Sequence, residues 1–88
     1  VSQNNPVGLT VWPNPFNNEV HVAAANLLSS ASTTLKIVDV LGKVVMTNVY
    51  TNKTELHDNF SLSHLSSGVY FISITNNNQH SVFRIVKD

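Results

Sequence analysis

The stretch LSSGVYFISITNNNQHSVFRIVKD, Leu65 to Asp88, decides the fold. Two runs in it alternate apolar and polar residues, Val69 to Thr75 and Ser81 to Val86, with the polar tract Asn76-Asn77-Asn78-Gln79-His80 between them. Successive side chains of a strand point to opposite faces, so Tyr70, Ile72 and Ile74 share one face and Phe83 and Ile85 share one face of the next run. The pattern is that of a β-hairpin giving both strands to one core.

Working back toward the start, further runs fit the same period. Leu35-Lys36-Ile37-Val38 leads through Asp39-Val40-Leu41-Gly42 into Lys43-Val44-Val45-Met46. Asp at the first and Gly at the fourth position of a turn have separate reasons. The carboxylate accepts from turn N–H groups, and Gly supplies a positive φ for a type I turn with a bulge. Val20, Val22 and Ala24 alternate on one face after Asn17-Asn18, and Leu9 to Trp12 pairs with them as an early hairpin. Pro13 and Pro15 remove two donors, which places the Leu9 to Trp12 strand at an edge. Ala23 to Leu28 carries a weak helical propensity, Phe60-Ser61-Leu62 alternates, and Ser66-Ser67-Gly68 forms a turn. About seven short strands with turn signals every ~8–12 residues predict an all-β, immunoglobulin-like antiparallel β-sandwich, without the Trp and Cys signature of antibody domains.

The chain has 88 residues, room for one domain that buries about 60–65% of its unfolded surface. Ser2 to Pro6 is polar and Asn-rich. Residues 1–8 are therefore read as a linker from an upstream cargo, residues 9–88 as the folded domain, and the whole as a piece of something longer. There is no cysteine, so no disulfide, thiolate metal site or thiol nucleophile is available. Five basic residues balance five acidic ones without clustering, which disfavours nucleic acid. No apolar run approaches the ~20 residues of a spanning helix, so no direct membrane insertion is expected.

Three stretches resemble the C-terminal sorting domain of proteins exported by the type IX secretion system of one Gram-negative phylum. Trp12-Pro13-Asn14-Pro15-Phe16 is similar to the family's aromatic-Pro-Asn-Pro start. Leu35 to Val45, with Asp39, Gly42 and Lys43, is similar to its apolar-x-Asp-x-x-Gly-basic hairpin. The third is Leu62 to Phe71, closed by Arg84-Ile85-Val86-Lys87. The matches cover nearly the whole chain from Leu9. The departures are Trp12 for the more usual Tyr or Phe, Lys43 for Arg and Arg84 for Lys, and Arg and Lys differ wherever a planar fork is needed.

The resemblance implies a sorting signal that covalently follows a cargo protein. It implies transit through the periplasm, passage through the secretion translocon with outer-membrane shuttle proteins, delivery to the cell surface or exterior, and removal by a sortase-like signal peptidase in many members. It also implies that partner recognition lies in Gly68, Val69, Tyr70, Arg84, Ile85, Val86 and Lys87, with Trp12, Pro13, Asn14, Pro15, Asp39, Gly42 and Lys43 as structural motif residues. The final strand, paired on one side only, offers its free edge to a partner strand, with Arg84 and Lys87 adding charge contacts.

Plainer roles compete with several of these. Gly68 answers first to a turn's φ. Tyr70 packs with its hydroxyl near water. Trp12 beside two prolines reads as a core plug. His21, His57, His64 and His80 lack ligand spacing and are expected at the surface, and Ser66, Ser67 and His64 make no triad, so no metal, cofactor or catalysis is expected. The acceptor-like Asn52-Lys53-Thr54 and Asn59-Phe60-Ser61 are incidental, and the Asn-rich loops are read as solvating tips. A rival reading is a carbohydrate- or surface-binding β-sandwich module appended to a secreted enzyme. It needs exposed aromatics in a row, for which Trp12, Tyr50 and Phe16 are the candidates.

Overall fold

The computed structural model describes residues 5–88; of the linker expected over residues 1–8, the first four lie outside the described residues. Seven strands run in order: β1 Thr10–Trp12, β2 Glu19–Ala24, β3 Thr33–Asp39, β4 Val44–Tyr50, β5 Leu56–Ser61, β6 Gly68–Asn76 and β7 Gln79–Lys87. They form two antiparallel sheets, three-stranded in the order β1-β2-β5 and four-stranded in the order β4-β3-β6-β7. The sheets bury their alternating apolar faces against each other, which is the sandwich solution to one-sided strands. β1 lies at an edge, where the sequence placed it, and Pro13 and Pro15 follow directly after it.

The core follows the parity of the sequence. Val20, Val22 and Ala24 of β2 face Leu35 and Ile37 of β3, Tyr70, Ile72 and Ile74 of β6, and Ile85 of β7, all buried, with Phe83 packed against them. In the terminal hairpin Tyr70 stands opposite Ile85 and Ile72 opposite Phe83, so the two apolar rows register rung for rung.

Four details depart from the sequence reading. Asn76, Gln79 and His80 are paired strand residues, so the connection is only Asn77-Asn78, with Asn77 at φ 55°. Ala23 and Ala24 extend β2 instead of starting a helix, because both pair with β5 and Asn26 then takes a φ of 61° that breaks any helical path. Trp12 is 44% exposed and is no core plug, since the alternation of β1 gives the inward position to Val11. At the N-terminal side, Val7 is fully buried and its carbonyl accepts from Ala25 N–H at 2.7 Å. The Asn5 carboxamide brackets Leu9, accepting from its N–H at 2.9 Å and donating to its carbonyl at 3.2 Å. The described part of the expected linker is thus laid against the sandwich.

Candidate functional site

The three sequence motifs meet at one end of the four-stranded sheet. The last rungs of the terminal hairpin are Phe71 with Arg84, Tyr70 with Ile85, Val69 with Val86 and Gly68 with Lys87. β3 extends two of these rungs, placing Val38 beside Phe71 and Asp39 beside Tyr70. All the residues assigned to partner recognition therefore share one corner, and the Asp39–Lys43 turn adjoins it.

That turn forms as its residue types dictate. Gly42 N–H donates to the Asp39 carbonyl at 3.0 Å and Asp39 N–H to the Lys43 carbonyl at 3.0 Å. Asp39 Oδ1 accepts from Leu41 N–H and Lys43 N–H, each at 2.9 Å. Gly42 sits at φ +83°, and the β3–β4 register shifts beside the turn, the bulge the sequence called for. The result is a hydrogen-bonded tip on which Val40 and Leu41 are exposed.

The proline-rich segment closes the corner from the other side. Asn14 reaches the outer edge of β7, donating through Nδ2 to the Arg84 carbonyl at 3.0 Å and accepting through Oδ1 from Val86 N–H at 3.0 Å. A carboxamide carries one donor and one acceptor side by side, so it reproduces the bonding of one residue of a neighbouring strand. Phe16 continues the pattern: its N–H donates to the Val86 carbonyl at 2.9 Å, its carbonyl accepts from Asp88 N–H at 2.9 Å, and it forms a parallel bridge with Lys87. The free edge expected along the final residues is therefore occupied between Arg84 and Asp88, because Asn14 and Phe16 take the outward backbone groups that a docking strand needs.

Of the residues that the resemblance implies for recognition, Tyr70 and Ile85 face the core, at 6% and 0% exposure. Tyr70 donates its hydroxyl to the Ser66 carbonyl at 2.7 Å, where the sequence suggested water. This pins the connection between β5 and β6 to the start of β6, the arrangement of a tyrosine corner. Val69, Val86 and Lys87 are half-buried and Arg84 is exposed, so these present the corner to solvent. Gly68 has φ +149° and nothing within 4 Å of where a Cβ would stand, so its requirement is backbone conformation and not space.

Trp12 turns elsewhere. Its indole stacks on the His21 imidazole on the solvent face of the three-stranded sheet, centroids 5.5 Å apart and planes 20° from parallel. There Trp12, His21, His57, Asp58 and Asn59 edge an open cleft of about 420 Å³. Phe16 is buried and Tyr50 packs on the core while donating its hydroxyl to Asp58 Oδ2 at 2.7 Å, so the aromatics do not form an exposed row. Burial, with the Asp58 carboxylate adding to it, pushes the Tyr50 phenol up to about 12. Among the described residues no group of three or more His, Asp or Glu is gathered closely enough to hold a metal ion.

A polar feature missed in the sequence is Asn76, fully buried although it opens an Asn-rich tract. Its Oδ1 accepts from Leu28 N–H at 2.8 Å, and its Nδ2 donates to Thr33 Oγ1 at 2.9 Å and to the Leu28 carbonyl at 3.2 Å. The signal was parity, since Asn76 continues the inward series Tyr70, Ile72, Ile74.

A family model described as the secretion system C-terminal sorting domain matches residues 10–88. No curated protein matches the chain.

Proposed function

The chain belongs to the family of secretion system C-terminal sorting domains, and on that premise we propose that the folded corner formed by Gly68, Val69, Arg84, Val86 and Lys87 is the part the export machinery reads. The chain is a C-terminal sorting signal for type IX secretion; it follows a cargo domain, interacts with that machinery and sends its cargo to the cell surface or exterior. A sorting-signal domain is not itself catalytic, and in this reading the chain carries no activity of its own. The cargo is held in the periplasm in transit, and a shuttle protein at the outer membrane passes it to the translocon. A sortase-like peptidase then cuts ahead of the domain. The cut falls in or before residues 1–8, and ahead of Val7, whose side chain is buried and whose carbonyl is already bonded to Ala25, because proteases need unpaired backbone.

The observation that supports the corner is the convergence of the motifs: Asn14 holds Arg84 and Val86 while Asp39 stands beside Tyr70. Tyr70, Ile85, Asn14, Asp39 and Gly42 shape the surface, and the five corner residues present it. The test fuses the chain behind a periplasmic reporter in a bacterium with type IX secretion. The intact fusion should reach the surface, and Arg84→Gln with Lys87→Gln should leave a folded fusion in the periplasm. Normal export of that folded double variant would remove the corner from recognition.

A further inference from the structure

The chain is neutral overall, yet its charge is divided between the two sheets. The strands of the three-stranded sheet carry Glu19 and Asp58 with no Lys or Arg, and Glu55 stands just ahead of β5. The strands of the four-stranded sheet carry Lys36, Arg84 and Lys87, with Lys43 directly before β4. Their single carboxylate, Asp39, is engaged by the turn N–H groups, and Asp88 lies beyond the end of β7.

The outward face of this sheet has two zones. Pairing sets Val44, Val38 and Phe71 in one row ending at Arg84, with Val69 and Val86 opposite each other on the flanking rung. Val44 is 47% exposed and the others are half-buried, so an apolar strip reaches the surface beside the corner. Further along, Thr34, Lys36, Ser73, Thr75 and His80 line a shallow groove of about 270 Å³. Among the described strand residues none of the outward positions is Asp or Glu, and the cations on that side are Lys36 and Arg84, flanking the apolar strip; Lys87 alternates to the inward side with Ile85, and Asp88 follows directly after β7.

We infer that the outward face of the β4-β3-β6-β7 sheet is a protein-docking surface, and that its partner presents apolar side chains ringed by Asp and Glu. Interfaces combine an apolar centre with a charged rim, and opposite rim charges steer the encounter and exclude wrong partners. An anionic membrane fits less well. Lipid recognition uses clusters of ~4–8 basic residues, whereas the outward positions of these strands carry two, Lys36 and Arg84, although Val40 and Leu41 are exposed on the adjoining turn. This inference rests on the reading of the chain as the module the export machinery recognises, and extends the contact surface from the corner across the sheet.

The test reverses one charge at two places in the reporter fusion. Lys36→Glu alters the docking face and Lys53→Glu makes the same chemical change in the exposed β4–β5 loop. Lys36→Glu should reduce the exported fraction at least about tenfold, because a like charge at a rim is strongly unfavourable, while Lys53→Glu exports as the parent does. Circular dichroism melts check folding, and Lys36→Thr, which removes the charge and keeps a strand-forming residue, should give an intermediate loss. Export of folded Lys36→Glu at the parent level overturns the docking face, and so does an equal loss in both reversals, which reports net charge alone. Binding of the isolated chain to phosphatidylglycerol vesicles that Lys36→Glu abolishes overturns the protein partner in favour of lipid. Failure of the parent fusion to export strikes the underlying recognition reading instead, so the two results are distinguishable.

Discussion

Asn76 and Ser81 lie on the same inward side of the terminal hairpin, both almost wholly excluded from water, and only one of them is satisfied. Asn76 gathers the loop before β3 through the Leu28 backbone and Thr33, and Gln79 ties in by donating to its Oδ1 at 3.2 Å and to the Asn26 carbonyl at 3.0 Å. Ser81 Oγ has no hydrogen-bond partner among the described residues. A buried donor stripped of its partner costs its full desolvation, whereas a hydroxyl with no partner contributes nothing that methyl cannot. Asn76→Ala should therefore cost about 2–3 kcal/mol in urea unfolding. Ser81→Ala should leave stability unchanged or raise it by up to about 1 kcal/mol. A larger loss at Ser81 than at Asn76 would contradict this account.

At the scale of the element, the strands were legible in the sequence and their ends were not. Alternation is a property of every second residue, so the cores of β2, β3, β6 and β7 followed from the apolar positions alone. The Asp39–Gly42 turn was legible too, because its residue types have no other common use together. The end of β6 was misread because composition outweighed parity, and an Asn-rich run looks like loop even where its first member faces inward. Gly68 shows how an element's start depends on backbone conformation. At φ +149° with open space around it, the position resists an L side chain and not volume. Gly68→Ala should cost about 1–3 kcal/mol, seen as a fall in Tm of several degrees. D-alanine placed there by chemical synthesis should keep the parent Tm, since it reaches positive φ without strain; an equal fall for both would point to a packing clash instead.

Between elements, Tyr50 on β4 and Asp58 on β5 connect an edge of one sheet to an edge of the other. Its phenol, raised from 10.0 to about 12, keeps its proton in the folded chain after the unfolded chain has lost its own. The unfolded state then binds fewer protons, so stability falls as pH rises. The contribution is complete below pH 10 and is lost as pH climbs through about 12. In Tyr50→Phe the alkaline decline of the urea midpoint over that window should be shallower; an unchanged decline would mean the link does not titrate with the fold.

For the whole molecule, the least legible feature was how the proline-rich segment meets the terminal strand. No local pattern announces that an Asn between two prolines will stand in for a strand residue some seventy positions away. That contact separates two explanations of export, one in which any folded sandwich suffices and one in which the shape of the corner matters. Asn14→Ala removes solvent-exposed hydrogen bonds and should cost only about 1 kcal/mol. It should speed hydrogen exchange at the Val86 amide and leave the Asp88 amide, held by the Phe16 carbonyl, protected. Asn76 stands at the opposite end of β6, paired with Thr33 and Gln79, and its loss costs more stability. If the corner is read, Asn14→Ala lowers export of the reporter fusion more than Asn76→Ala does, at a temperature where both stay folded. Export that follows the stability ranking, with Asn76→Ala the poorer, would leave folding alone as the signal.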